Sequence, residues 1–207
     1  MSKTRNPYEG PLPIHLNELI PNQSNIAQQR KHTRIFFANI TSWSKMAQNF
    51  FSRNAYQYQV IGLAETHTKA EKIRSTRGWW KQQGFKTSQR PAVLTGRSVA
   101  GTSGGVLMGI HGQLASSSLE QLDNHPNITT PTNERYWVGR YLRTNSRNVL
   151  MITVYMPPGS EYVRERRETL QEIGLIVSQN RGPYLIVGDW NAKPQELIES
   201  GFPAFIQ

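Results

Sequence analysis

The chain has 207 residues, and 24 Lys or Arg stand against 14 Asp or Glu, for a formal net charge of +10 and a pI of about 10.1. A hydrophobic fraction of 37% with 18% charged residues excludes a charge-rich disordered chain and a low-complexity one, and at about 150 residues per domain the length suits one domain with an appended tail. The absence of Cys excludes a disulfide framework, a Cys-ligated zinc site and a thiol nucleophile, while the basic balance points to an anionic partner. The longest apolar run, Val149 to Met156, is far short of the roughly 20 residues that cross a bilayer, and the first residues hold no apolar signal region. The expectation is a soluble intracellular protein, nuclear or cytoplasmic, existing as a monomer or as part of a larger polyprotein.

Residues 1–33 are rich in Pro, Asn and Gln, with one short apolar island at Ile14 to Ile20. They bury too little to offset the entropy of ordering and read as a disordered leader or linker, so the folded domain is expected over 34–207. Arg34 to Thr41 (RIFFANIT) is a β-branched and aromatic run without periodicity, which predicts a strand buried on both faces. Ser42 or Ser44 can cap a helix reaching Ala55, with Met46, Ala47, Phe50 and Phe51 on one face. A second strand, QVIGLAE, ends at Glu65, and Lys69 to Gln83 reads as helix closed by Gly84.

Phe85 to Ser88 predicts a short strand, Arg90 to Ser103 an exposed loop, Gly104 to Ile110 another strand, and Gly112 to Asn133 a long polar loop. Glu134 to Leu142 and Asn148 to Met156 flank a turn-like RTNSR and read as an antiparallel hairpin. Glu161 to Gln179 predicts a helix presenting Val163, Arg167, Leu170, Ile173, Leu175 and Val177, and Pro183 to Gly188 a buried strand. This order mixes crossover connections with hairpins and fits an α/β sheet protein.

Two carboxylates stand where apolar strands end, Glu65 after VIGLA and Asp189 after YLIVG. That is where open sheets place ligands, although for such residues alone a solvated Glu65 and an Asp189 that caps the next turn are the commoner explanation. Their company is more specific. In order along the chain stand Ala38-Asn39, Ala64-Glu65-Thr66-His67, Gly104-Gly105, Val154-Tyr155-Met156-Pro157 and Gly188-Asp189-Trp190-Asn191.

Together these motifs resemble the endonuclease/exonuclease/phosphatase family, which includes abasic-site endonucleases of the exonuclease III type, endonuclease domains of non-LTR retrotransposons, neutral sphingomyelinases and inositol polyphosphate 5-phosphatases. The resemblance runs from Arg34 to about Lys193 and implies a four-layer α/β/β/α sandwich. It further implies that Glu65, assisted by Asn39, binds Mg²⁺ or Mn²⁺, that Asp189 orients or activates water, that Asn191 contacts phosphate or nucleophile, and that Tyr155 donates to the phosphate. His67 stands where the family often has a basic residue, and Arg97 and His111, with Arg90, flank loops that could rim a nucleic-acid groove.

Thr41 replaces the second Asn usual in the first strand, and Trp190 stands where Phe is commoner. Complete members continue past Gly-Asp-x-Asn to a closing Ser-Asp-His motif, whereas none of His15, His32, His67, His111 and His125 lies beyond Asp189. The expectation is therefore a sandwich whose C-terminal half is missing. Functionally, the resemblance implies Mg-dependent phosphodiester hydrolysis on DNA, of retrotransposon or abasic-endonuclease type. An inositol-phosphate or sphingomyelin phosphodiesterase and an inactive nucleic-acid-binding remnant are the alternatives.

Overall fold

The computed structural model describes residues 32–94, 101–119, 136–144, 147–159 and 163–202. The leader, apart from its last two residues, the segment around Arg97 and the loop beyond Leu119 lie outside them. The described chain forms β1 (Ile35–Asn39), α1 (Lys45–Asn54), β2 (Val60–Ala64), α2 (Ile73–Gln82), β3 (Phe85–Leu94), β4 (Thr102–His111), β5 (Ser116–Ser118), β6 (Trp137–Arg143), β7 (Asn148–Tyr155), α3 (Val163–Gln179), β8 (Tyr184–Asp189) and α4 (Pro194–Glu199).

The strands make two four-stranded sheets, ordered β1-β2-β4-β3 and β5-β6-β7-β8. In each, one parallel pair adjoins antiparallel neighbours: β1 runs with β2 and β7 with β8. Three apolar clusters give the layering. Phe51, Ala55 and Trp80 of the first helical layer pack on Ile61, Leu63 and Leu107. Val60, Ala64, Val106 and Met108 meet Val138, Met151 and Tyr155 between the sheets. Leu150, Ile152 and Val154 face outward onto Ile173, Ile176 and Val177 of α3. Both faces of β2 and β7 are thus buried, which is why neither shows period-two alternation. The result is the α/β/β/α sandwich implied by the motifs.

At Gly62 the two sheets approach each other closely. A Cβ there would stand 2.7 Å from Thr153 Oγ1 and 3.1 Å from a Val187 methyl, so the central strand of the first sheet needs glycine to lie against the second.

Several expectations are corrected. β1 and β8 are edge strands, half-exposed rather than buried on both faces, because each has one neighbour in its sheet. β3 continues to Leu94, which pairs with Thr102, the first residue of β4, so both ends of the expected loop Arg90 to Ser103, Arg90 to Leu94 and Thr102 to Ser103, are strand. The stretch after Gly112 contains a short strand, β5. In α1 the Ser44 cap is present, its Oγ accepting from Ala47 N at 3.3 Å, but Met46 is 79% exposed and Phe50 faces solvent at the rim. The buried stripe steps by four through Ala47, Phe51 and Ala55. In α3 the buried face runs through Thr169, Glu172, Ile173 and Ile176, leaving Val163 63% exposed. Glu172 Oε2 accepts from the buried Trp137 Nε1 at 2.7 Å, which explains a carboxylate on that face. The predicted hairpin is present as β6 and β7.

Candidate active site

Parallel pairing aligns the carboxyl ends of the strands. Asn39 lies opposite Ala64 at the ends of β1 and β2, and Tyr155 opposite Asp189 at the ends of β7 and β8. Where the two sheets meet, Asn39 Nδ2 donates to Glu65 Oε2 at 3.1 Å and to Asp189 Oδ2 at 2.6 Å. Asn39 Oδ1 accepts from the Thr41 backbone N–H at 3.0 Å. Carboxylates only accept and an N–H only donates, so the orientation of this amide is fixed from both ends. Asn39 is a clamp that holds two carboxylates from different sheets in one place.

Below them, the buried Tyr155 hydroxyl stands 3.3 Å from Ser103 Oγ and close to the Glu65 carboxylate. Burial, followed by the adjacent Glu65 carboxylate, drives the phenol well above its usual pKa, with the charge of Asp189 acting in the same sense and Ser103 opposing. Tyr155 is therefore a neutral donor.

The backbone around the cluster is strained. Thr41, Glu65, His67 and Asn191, with φ of 58°, 51°, 47° and 43°, are the non-glycine residues with positive φ among the described residues, and each follows the end of β1, β2 or β8. Such conformations cost about 1–3 kcal/mol each and persist only where surrounding structure holds them. Here the restraints are visible. Thr66 N and His67 N donate to Gly105 O and Gly104 O, each at 3.0 Å. Asn191 N donates to Asp189 Oδ1 at 3.2 Å, and its Nδ2 to Met156 O at 2.8 Å.

Gly104 and Gly105 themselves have φ of 76° and 80°. A Cβ on Gly104 would stand 3.0 Å from the Tyr155 ring, and one on Gly105 2.6 Å from Thr66 Oγ1. The glycine pair lets β4 pass directly behind the cluster.

Glu65, Asn39, Asp189 and Tyr155 are thus brought together, with Asn191 adjoining through Asp189 and tied by its amide to backbone. His67 sits at the rim, half-buried, its Nδ1 3.1 Å from Thr102 Oγ1. His111 does not join them. It ends β4 six residues past Gly105, roughly 20 Å away at 3.4 Å per residue, and its ring packs edge-on against Phe85 with centroids 5.2 Å apart. Arg97 lies outside the described residues. Sequence reading missed Ser103 and Thr102, which touch Tyr155 and His67, because the strand that carries them was read as starting two residues later, at Gly104.

The donor set suits a hard divalent cation. Two carboxylates converge on one amide, and no group of three or more His, Asp or Glu occurs among the described residues. Mg²⁺ favours such a site, held by one or two carboxylates while its remaining positions keep water or take substrate phosphate oxygens.

The family model of the endonuclease/exonuclease/phosphatase family matches residues 38–198. No curated protein sequence matches the chain. Among solved structures, D. rerio TDP2 complexed with single strand DNA product aligns with a TM-score of 0.53 and 13% identity, over 82% of this chain and 64% of that one. The human Nocturnin catalytic domain with bound sulfate gives 0.53 and 16%, over 78% and 66%. A β-hairpin deletion mutant of beta toxin from Staphylococcus aureus gives 0.53 and 13%, over 84% and 72%. The chain therefore spans about two thirds of the length of these structures and shares their fold.

Proposed function

Because the chain belongs to the endonuclease/exonuclease/phosphatase family, we propose that it is a metal-dependent phosphodiesterase domain acting on DNA, an endonuclease of retrotransposon or abasic-site type. One observation carries the chemical part of this reading: Asn39 holds Glu65 and Asp189, from two different sheets, on a single point above the Tyr155 hydroxyl. A phosphodiester is unreactive because its negative charge repels nucleophiles, so its hydrolysis needs charge neutralisation and an activated water.

Glu65, its carboxylate positioned by Asn39, would hold Mg²⁺ or Mn²⁺, which when bound neutralises phosphate charge and polarises the phosphorus. Asp189 accepts the proton of the attacking water. Neutral Tyr155 donates to a non-bridging phosphate oxygen as charge builds there. Asn39 keeps both carboxylates aimed at the same phosphate, and Asn191 fixes the turn that carries Asp189. His67 at the rim contacts the bound strand.

Two observations favour DNA over a small phosphorylated headgroup. The net charge of +10 suits a polyanion. A similar fold is complexed with a single strand DNA product in D. rerio TDP2. The salt dependence of association separates the two substrates. Binding to a short duplex should weaken with a log–log slope steeper than about −3, the signature of more than three neutralised phosphates at about 0.9 each. A slope near −1, together with hydrolysis of sphingomyelin or an inositol phosphate, overturns the DNA assignment.

A further inference from the structure

Beside the cluster, a groove of about 520 Å³ runs between the segment leading into α1 and the face of α2. Thr66 lies in its wall and His67 lines it, so it begins where the strained segment after Glu65 ends. Lys72, Ser75, Thr76 and Trp79 all line it, and their three- and four-residue spacing puts them on one face of α2 and the turn before it. Trp43 also lines it, next to Trp79. Its ring meets Trp79 edge-on at 5.0 Å and Trp80 at 5.3 Å, and Trp80 is fully buried against Phe51 and Phe85. The two half-exposed indoles are therefore fixed by the core behind them. At the mouth stand Lys69 and Lys72, both exposed, and among the described lining residues there is no carboxylate.

Rigid aromatic walls, two ammonium groups and several hydroxyls fit a ligand with a planar ring at one end and a phosphate at the other. The volume lies within the range of small-ligand clefts and accommodates one nucleotide. Base–aromatic stacking with backbone phosphate held by Lys is the usual means of gripping a single strand without reading its sequence. We propose that this groove is a nucleotide subsite, which takes the unstacked nucleotide next to the phosphate bound at Glu65 and Asp189, its base against Trp43 and Trp79 and its phosphate between Lys69 and Lys72. This rests on the nuclease reading above and extends it to the path of the strand.

The test is a titration of the full chain with a short oligothymidylate in EDTA, followed by tryptophan fluorescence at several salt concentrations. The wild type should be quenched on binding. Trp79→Phe, which retains an aromatic ring in the packing, should lose most of the quenching. The exposed double variant K69A/K72A should weaken binding about tenfold and flatten the log–log salt slope by about 0.7, the contribution of the one phosphate held between the two lysines on a single strand. The control R53A/K81A removes the same charge from elsewhere on α1 and α2 and should bind as the wild type does. Equal weakening by both double variants, or an unchanged slope in K69A/K72A, overturns the subsite. Hydrolysis of bis(4-nitrophenyl) phosphate by the wild type, measured separately with Mg²⁺, reports on the catalytic centre alone. Its absence would count against the nuclease reading, while loss of oligonucleotide binding in K69A/K72A alone would still uphold the groove.

Discussion

Asn39 is an unusual asparagine in that each of its polar atoms has a partner of fixed sense: two carboxylates for the nitrogen and the Thr41 N–H for the oxygen. Asn39→Asp puts a third negative charge against two others and removes both donated hydrogen bonds. It should reduce phosphodiester cleavage by at least about a hundredfold, the cost of losing a positioned polar group at a site of developing charge, and circular dichroism should show the fold retained. Tyr155 differs in that its neutral hydroxyl is a donor inside an anionic site. Tyr155→Phe should lower cleavage by between about tenfold and a few hundredfold with substrate affinity nearly unchanged, measured as separate effects on kcat and KM. A fall confined to affinity would assign the hydroxyl to ground-state binding instead.

Among the elements, β4 controls the cluster from behind. Gly105→Ala forces an L residue to a φ of 80° and brings a Cβ to 2.6 Å from Thr66 Oγ1. The expected loss is about 2 kcal/mol or more, read as a fall of several degrees in Tm. The double glycine was legible in the sequence as one of the ordered motifs. What it approaches was not, since Thr66 and Tyr155 come from other strands. The same limit explains the other differences. The carboxyl ends of β2 and β8 and the helix cap at Ser44 follow from local chemistry and were readable, whereas the facing ends of β3 and β4 were not. Whether a strand is central or at an edge depends on neighbours, and β1, whose IFFAN composition suits a core strand, lies at the edge of its sheet. The helix faces of α1 and α3 were offset because apolar spacing alone does not reveal which stripe meets the sheet. In α3 the answer includes Glu172, a residue that only its indole partner on β6 makes buriable. Glu65, Asp189, Asn39 and Tyr155, which the structure brings together, and His67 at their rim were singled out because they follow or close strands within the short motifs that carry the family resemblance. His111 also closes a strand, but at the opposite end of antiparallel β4, and strand direction is invisible before pairing is known.

At the scale of the whole molecule, two sheets packed face to face make one centre out of residues 150 positions apart, Asn39 and Asp189, with Gly62 allowing the close approach between them. On the proposed function, the net positive charge would draw the molecule to phosphate polymers, and the strained, clamped strand ends would give that attraction a place to act. The most direct test of this account is nicking of supercoiled plasmid by the chain in Mg²⁺ or Mn²⁺, with Glu65→Ala and Asp189→Asn prepared alongside. The account predicts conversion to open circles by the wild type, none in EDTA, and at least a hundredfold slower conversion by either variant. Nicking that persists in EDTA or at wild-type rates in both variants, or a wild-type chain that leaves the plasmid intact, would contradict it.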